Sequence, residues 1–269
     1  MNRGHNRPQA DEDDDRTVGR VLSRREALVL LGAAGAVLLP ACGSSGDSAT
    51  TTSPTTGAPT TGAPTTAAAA AAGGAAAPAC VVKPELTEGP YFVDEKLNRS
   101  DIRPDPSTGA VSEGTPLQLA FRVSSVAAGG CAALAGAMVD VWHCDAAGRY
   151  SDVSANNTVG QKFLRGYQVT DTGGAATFTT VFPGWYQGRA VHIHFKIRTG
   201  GYDFTSQLFF DDPVLAEAFS QAPYASRGAP GVTNARDGIY RSGGSQLILP
   251  ATKDGSGYAG TFDIGLQLT

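Results

Sequence analysis

The chain has 269 residues, 17 % of them charged, and a net charge of −4. A weakly acidic chain without a basic cluster excludes nucleic acid as the main partner. The 34 glycines and 16 prolines point to a turn-rich, β-dominated fold, and no apolar stretch after the first 42 residues is long enough to make an integral membrane protein.

The N-terminal 42 residues read as a targeting segment. Ser23-Arg24-Arg25-Glu26-Ala27-Leu28 carries paired arginines, an apolar run extends from Ala27 to Leu39, and Pro40-Ala41-Cys42 follows. The apolar run falls short of the roughly 20 residues that a spanning helix needs. Positive charge, apolar stretch and small-residue site, in that order, are the pattern of a cleaved export signal. The arginine pair resembles a twin-arginine signal, and Leu39-Pro40-Ala41-Cys42 resembles a bacterial lipobox whose cysteine is lipidated. The expectation is export, with tethering through Cys42 to the outer side of the cell membrane, or secretion. Residues 43–79 are almost wholly Ala, Gly, Pro, Ser and Thr, with Thr-Thr-Gly-Ala-Pro-Thr repeated from Thr55 and Thr60. With no large apolar side chain to bury, this stretch is expected to be a disordered stalk.

Residues 80–269 have the length and composition of one domain. β-Branched and aromatic residues cluster between turn residues at Leu117–Val123, Ala137–His143, Phe163–Thr170, Ala176–Phe182, Ala190–Arg198, Thr205–Phe210, Gln246–Leu249 and Tyr258–Leu268. Each is expected to be a strand, and Asp171-Thr172-Gly173-Gly174 is expected to close a hairpin. Pro213–Gln221 is the one amphipathic helix candidate. The pattern predicts a mainly β fold, a β-sandwich with Gly-rich loops and one short helix. Cysteines remain at 80, 131 and 144, and an exported domain is expected to carry a disulfide. Cys131 and Cys144 are expected at opposite ends of one extended strand, too far apart to pair, so Cys80 pairs with one of them.

The stretch Arg189-Ala190-Val191-His192-Ile193-His194-Phe195 holds two of the four histidines. Residues two apart on a strand share a face, so His192 and His194 can chelate one metal while Ile193 and Phe195 enter the opposite layer. Strict alternation would put Arg189 opposite His192 unless the strand carries a bulge or begins later. Tyr186 precedes this stretch, after Phe182-Pro183-Gly184-Trp185, and Tyr150 ends Trp142-His143-Cys144-Asp145-Ala146-Ala147-Gly148-Arg149-Tyr150. His143 and Cys144 read as structural.

The body resembles the intradiol ring-cleavage dioxygenases, such as catechol and protocatechuate dioxygenases. The resemblance rests on Thr87-Glu88-Gly89-Pro90-Tyr91, Val139–Trp142 through Gly148-Arg149-Tyr150, Pro183–Tyr186, Arg189–Phe195 and Thr205-Ser206-Gln207. It implies an Fe(III) site with Tyr150 and His192 as equatorial ligands and Tyr186 and His194 as axial ones. It also implies a catalytic Arg189, a pocket-lining Gln207, and Pro90 and Tyr91 at the pocket mouth. The implied partners are a small aromatic diol and O2, and the implied product is a muconate-type diacid. Iron(III) is hard enough to prefer phenolate oxygen and imidazole, and a trivalent ion can ionise a phenol whose free pKa is near 10. A doubly ionised catechol can displace hydroxide and the axial tyrosinate, Tyr186, without changing the net charge of the site.

The sequence departs from the soluble members at one place. Only Gln187 and Gly188 separate Tyr186 from Arg189, where they carry a longer insert that walls the pocket. The expectation is a shallower pocket that admits larger catechols. Two rival readings exist. A cupin-type iron(II) or manganese site needs a carboxylate and a further histidine, and His143 is the only histidine left in the domain. A non-catalytic, surface-displayed β-sandwich binding module has no need of two tyrosines and two histidines together.

Overall fold

A computed structural model describes residues 81–268. The targeting segment 1–42 with Cys42, the stalk 43–79 and Cys80 lie outside the described residues. Among the described residues nine strands form two sheets: β1 (Pro116–Ala127), β2 (Gly130–Ala133), β3 (Met138–Trp142), β4 (Arg165–Val169), β5 (Ala175–Val181), β6 (His192–Thr199), β7 (Tyr202–Phe209), β8 (Thr252–Asp254) and β9 (Gly257–Leu266). The first sheet runs β2-β1-β9-β8, with β5 on the first half of β1 and a parallel β1–β9 pair. The second runs β4-β3-β6-β7, antiparallel throughout.

Period-two patterning makes the sandwich. Leu117, Leu119, Phe121 and Val123 of β1, with Phe178, Phe262 and Ile264, face Val139, Val141, Ile193, Phe195, Ile197, Phe204 and Leu208 of the second sheet. The Phe121 ring centroid lies 5.2 Å from that of Phe195 and 6.1 Å from that of Phe262, so the core crosses between sheets. The other face of the second sheet carries an in-register row: Arg165 on β4, Trp142 on β3, His194 on β6 and Gln207 on β7. His192 pairs with Phe209 one step along. Helix α1 (Asp212–Phe219) has a proline in its first turn and buries Leu215, Ala218 and Phe219. Helix α2 is a single turn, Gly238–Arg241.

The β-sandwich expectation holds, with four local corrections. Asp171–Gly174 forms a tight turn, Gly174 N donating to Asp171 O at 3.0 Å. It does not close a hairpin, because β4 and β5 belong to different sheets. Gln246–Leu249 is not a strand. It is the end of a 3-10 turn followed by one bridge, Ile248 to Phe209, and its Leu247 and Leu249 are buried as plugs rather than as ladder residues. Two short strands, β2 and β8, are additional; both are polar or small and carry little pattern to read. Cys131 and Cys144 are not on one strand: Cys131 lies in β2 of the first sheet and Cys144 follows β3 of the second. They do not pair with each other, since Cys131 is disulfide-bonded and Cys144 is a free, buried thiol.

Candidate metal centre

His192 and His194 sit on the face of β6 that looks away from the sandwich core, and Ile193 and Phe195 enter the core as alternation requires. The strand begins at His192, so Arg189 belongs to the preceding turn and is released from the alternation that would have turned it away.

Tyr150 reaches the site on a turn built by Asp145. The Asp145 Oδ1 accepts from Ala147 N and Arg149 N, both at 2.9 Å, and its Oδ2 pairs with the Arg149 guanidinium. Gly148 sits in the left-handed region at φ +82°, where a Cβ would lie 2.4 Å from Trp185 O. This approach ties the turn to the segment that carries Tyr186. The Tyr150 backbone is then fixed from both sides: its N–H donates to Asn156 Oδ1 at 2.6 Å and its carbonyl accepts from Thr158 Oγ1 at 2.5 Å. Tyr150 is 1 % exposed, whereas Tyr186 is half-buried.

The four predicted donors converge. Tyr150 Oη lies 3.4 Å from His192 Nε2, Tyr186 Oη lies 3.1 Å from the same nitrogen, and the two histidine Nε2 atoms are 3.0 Å apart. His192 Nδ1 donates to Ala190 O at 2.7 Å, so its Nε2 carries a lone pair. Burial first, then the Arg189 charge, pushes the His192 pKa down to about 3; burial and the neighbouring His192 hold His194 well below its ordinary value. Both rings are therefore neutral at pH 7, as metal ligands must be. Two donors about 2.1 Å from a shared ion and at right angles to it stand about 3 Å apart, so these separations fit one cation. Among the described residues no three His, Cys, Asp or Glu side chains gather as a metal site, so a metal here depends on the phenol oxygens. That chemistry favours a hard trivalent ion over the carboxylate-containing cupin set.

The surroundings hold the donors in place. Trp142 stacks flat on His194, centroids 5.0 Å apart at 9°. Tyr91, read from the sequence as a pocket-mouth residue, stacks on Tyr150 at 4.5 Å and meets Tyr186 edge-on at 6.3 Å. Pro90 is exposed on the turn before it. Gln207 is fully buried beside His194, accepts from Arg189 Nη2 at 2.6 Å and donates to Thr87 O at 3.0 Å. The structure thus brings Tyr91, Gln207 and Arg189 to the four donors and leaves Pro90 at the rim. Sequence reasoning missed Asp237, whose carboxylate bonds Arg189 Nε at 3.0 Å. Burial alone would raise the Asp237 pKa; the Arg189 charge and backbone donors overcome this and hold it below the ordinary value. Its one signal was an Asp before Gly-Ile-Tyr, a helix-capping pattern far along the chain. A cleft of about 630 Å³ lined by Asp105, Glu113, Arg149, Phe163 and Arg227 includes none of the four donors. The donor chemistry marks the site.

The sequence profile of a family described as Dioxygenase matches residues 87–239. The span contains all four donors, Arg189, Gln207 and Asp237. The chain belongs to the intradiol ring-cleavage dioxygenases. An intradiol ring-cleavage dioxygenase from Tetranychus urticae has a similar structure, with a TM-score of 0.62 and 31 % identity over 70 % of this chain and 94 % of that one. The dioxygenase domain of a dioxygenase carbohydrate-binding protein fusion from Streptomyces sp. SirexAA-E gives a TM-score of 0.53 and 29 % identity over 70 % of this chain and 100 % of that one. In sequence, a chlorocatechol 1,2-dioxygenase of Pseudomonas putida is 34 % identical over 97 residues, 29 % of this chain and 36 % of the relative. The chain spans little more than a third of the length of the curated relatives it matches.

Proposed function

We propose that this family member is an Fe(III) enzyme that opens catechol-type rings between the two hydroxyl-bearing carbons, placing both atoms of O2 in a muconate-type diacid. One observation carries the reading: two phenol oxygens and two neutral imidazole nitrogens converge within 3.0–3.4 Å, beside a buried arginine. The chemistry supplied by bound iron(III) is Lewis acidity, which ionises phenols and loads the catecholate ring with electron density for attack on O2.

The chain's own residues divide the remaining work. Tyr150 is buried, stacked and fixed by its backbone, so it stays in place. Tyr186 is half-buried on a short loop, and its phenolate oxygen is the base that takes a catechol proton. Arg189 brings a charge that Asp237 and Gln207 hold still, and it stabilises negative charge developing on the ring oxygens. Tyr91 offers an aromatic face next to both tyrosines. Gln187 and Gly188 form an exposed turn, and a Cβ on Gly188 would meet nothing within 4 Å, which supports bulky catechols as substrates.

The test is a visible spectrum of the iron-loaded protein before and after catechol under nitrogen. A broad tyrosinate-to-iron(III) band that shifts on addition is expected. Tyr150→Phe or Tyr186→Phe should remove part of that band, and Tyr186→Phe should lower kcat by about 10²-fold or more. A colourless protein that takes no iron on reconstitution would remove the enzyme reading and leave a binding module. A panel of catechols with and without ring substituents tests the open site, and strict preference for unsubstituted catechol would sink it. Export and a lipid on Cys42 are part of the same proposal; a labelled fatty acid should enter the wild type and not Cys42→Ala.

A further inference from the structure

Asp237 is 1 % exposed and its carboxylate caps α2, Oδ1 accepting from Tyr240 N at 2.9 Å. A one-turn helix can take that cap from Asn or Ser as readily as from Asp. The other oxygen does something a cap does not require. Oδ2 accepts from Arg189 Nε at 3.0 Å and from Ala190 N at 2.7 Å. The Ala190 carbonyl in turn accepts from His192 Nδ1 at 2.7 Å. One carboxylate oxygen therefore holds the guanidinium and also the residue that orients a ligand imidazole. The pair is almost wholly out of water, with side-chain exposures of 6 % and 0 %. In that setting each charge depends on the other, because an unpaired buried charge is strongly unfavourable.

We propose that Asp237 is the positioning residue of this centre, setting the guanidinium of Arg189 and, through Ala190, the ring of His192. The inference rests on the dioxygenase reading. Its chemistry is specific to a carboxylate. Both oxygens of Asp237 accept, and all three partners (Tyr240 N, Arg189 Nε and Ala190 N) donate. An asparagine of the same shape has one acceptor oxygen. Turned toward Tyr240, it keeps the helix cap and presents an NH2 to two donors; turned the other way, it loses the cap.

The test uses the full-length protein as wild type, Asp237→Asn, Arg189→Met and the double variant. Loaded with iron, Asp237→Asn should keep its metal and its tyrosinate band while kcat falls about 10–100-fold, the range for partners that orient a metal's ligands. In the Arg189→Met background the same change should cost several-fold less than in wild type, because one of the two groups it positions is gone and only the route through Ala190 to His192 remains. Equal losses in both backgrounds, or a kcat unchanged by Asp237→Asn alone, would overturn the proposal. A second readout needs no metal. In 15N-histidine-labelled, metal-free protein, the Nδ1 proton of His192 should exchange about tenfold faster in Asp237→Asn than in wild type. Unchanged exchange would also count against the proposal. If the wild type itself takes no iron and turns nothing over, the dioxygenase reading fails, and the exchange comparison still judges Asp237.

Discussion

His143 lies outside the donor set and is closed to a second proton. Its Nδ1 donates to Cys144 O at 2.9 Å, and its Nε2 accepts from Thr180 Oγ1 at 2.7 Å. Protonating Nε2 would remove that acceptor and charge a fully buried ring, and burial pushes the pKa down to about 4. The unfolded chain, with an imidazole near 6.5, takes up the proton first as pH falls. The stability contribution is therefore full above about pH 6.5 and declines toward pH 4, by as much as about 3 kcal/mol across the window. Urea midpoints of the metal-free protein between pH 7 and pH 5 should fall, and His143→Gln should flatten the slope while His192 and His194 keep the remainder. Parallel slopes in the two proteins would show that His143 titrates normally. The sequence reading of His143 as structural agrees with this placement. Residue identity was legible wherever local spacing encodes it: His192 and His194 from their alternation, and Tyr150 and Tyr186 from the segments that resemble the family. Asp237 was not, because its partner Arg189 is 48 residues away and nothing local distinguishes a capping aspartate from a charge-bearing one.

The turns carry as many of the donors as the strands do. Two of the four donors, Tyr150 and Tyr186, arrive on segments that meet at Gly148, and these have no periodicity to read. Gly148 and Gly160 share φ +82°, but a Cβ on Gly148 would meet Trp185 O at 2.4 Å and Tyr186 Cβ at 3.3 Å, while Gly160 has nothing within 4 Å. Gly160→Ala should cost only the left-handed backbone penalty, about 1–2 kcal/mol. Gly148→Ala carries the same penalty and must also push the Tyr186 segment away. The expected result is a larger fall in Tm for Gly148→Ala, a weakened tyrosinate band in the iron-loaded protein, and an unaltered band for Gly160→Ala. Equal effects of the two alanines would mean that the close approach does not hold Tyr186. The misread elements have the same physical origin. Gln246–Leu249 has strand-like composition, but Leu247 and Leu249 are buried as isolated plugs with a single bridge between them, so composition reported burial rather than pairing. The Asp171–Gly174 turn has hairpin residues, and tertiary packing sends its two arms to different sheets.

Strand β6 joins the two halves of the design, with Ile193 and Phe195 in the inter-sheet core and His192 and His194 on the outer face. Stability and the proposed metal binding therefore draw on opposite sides of one strand, and the two are expected to separate. Phe121→Ala removes the ring that meets Phe178, Phe195 and Phe262. The cost should be about 3–5 kcal/mol, the usual range for an aromatic deleted from a packed core. For a domain of this size that is a fall in Tm on the order of 10 °C. On the Fe(III) reading the metal binds the folded state and not the unfolded one, so loading should raise Tm in wild type and variant alike by mass action. Because Phe121 touches none of the donors, the increments should match, and the tyrosinate band at 20 °C should be the same in both proteins. Calorimetry with and without iron checks the first expectation, and the spectrum checks the second. Loss of the band in Phe121→Ala at a temperature where circular dichroism still reports the fold would show that core packing sets the donor positions through Phe195. The site would then depend on the sandwich for its geometry as well as for its support.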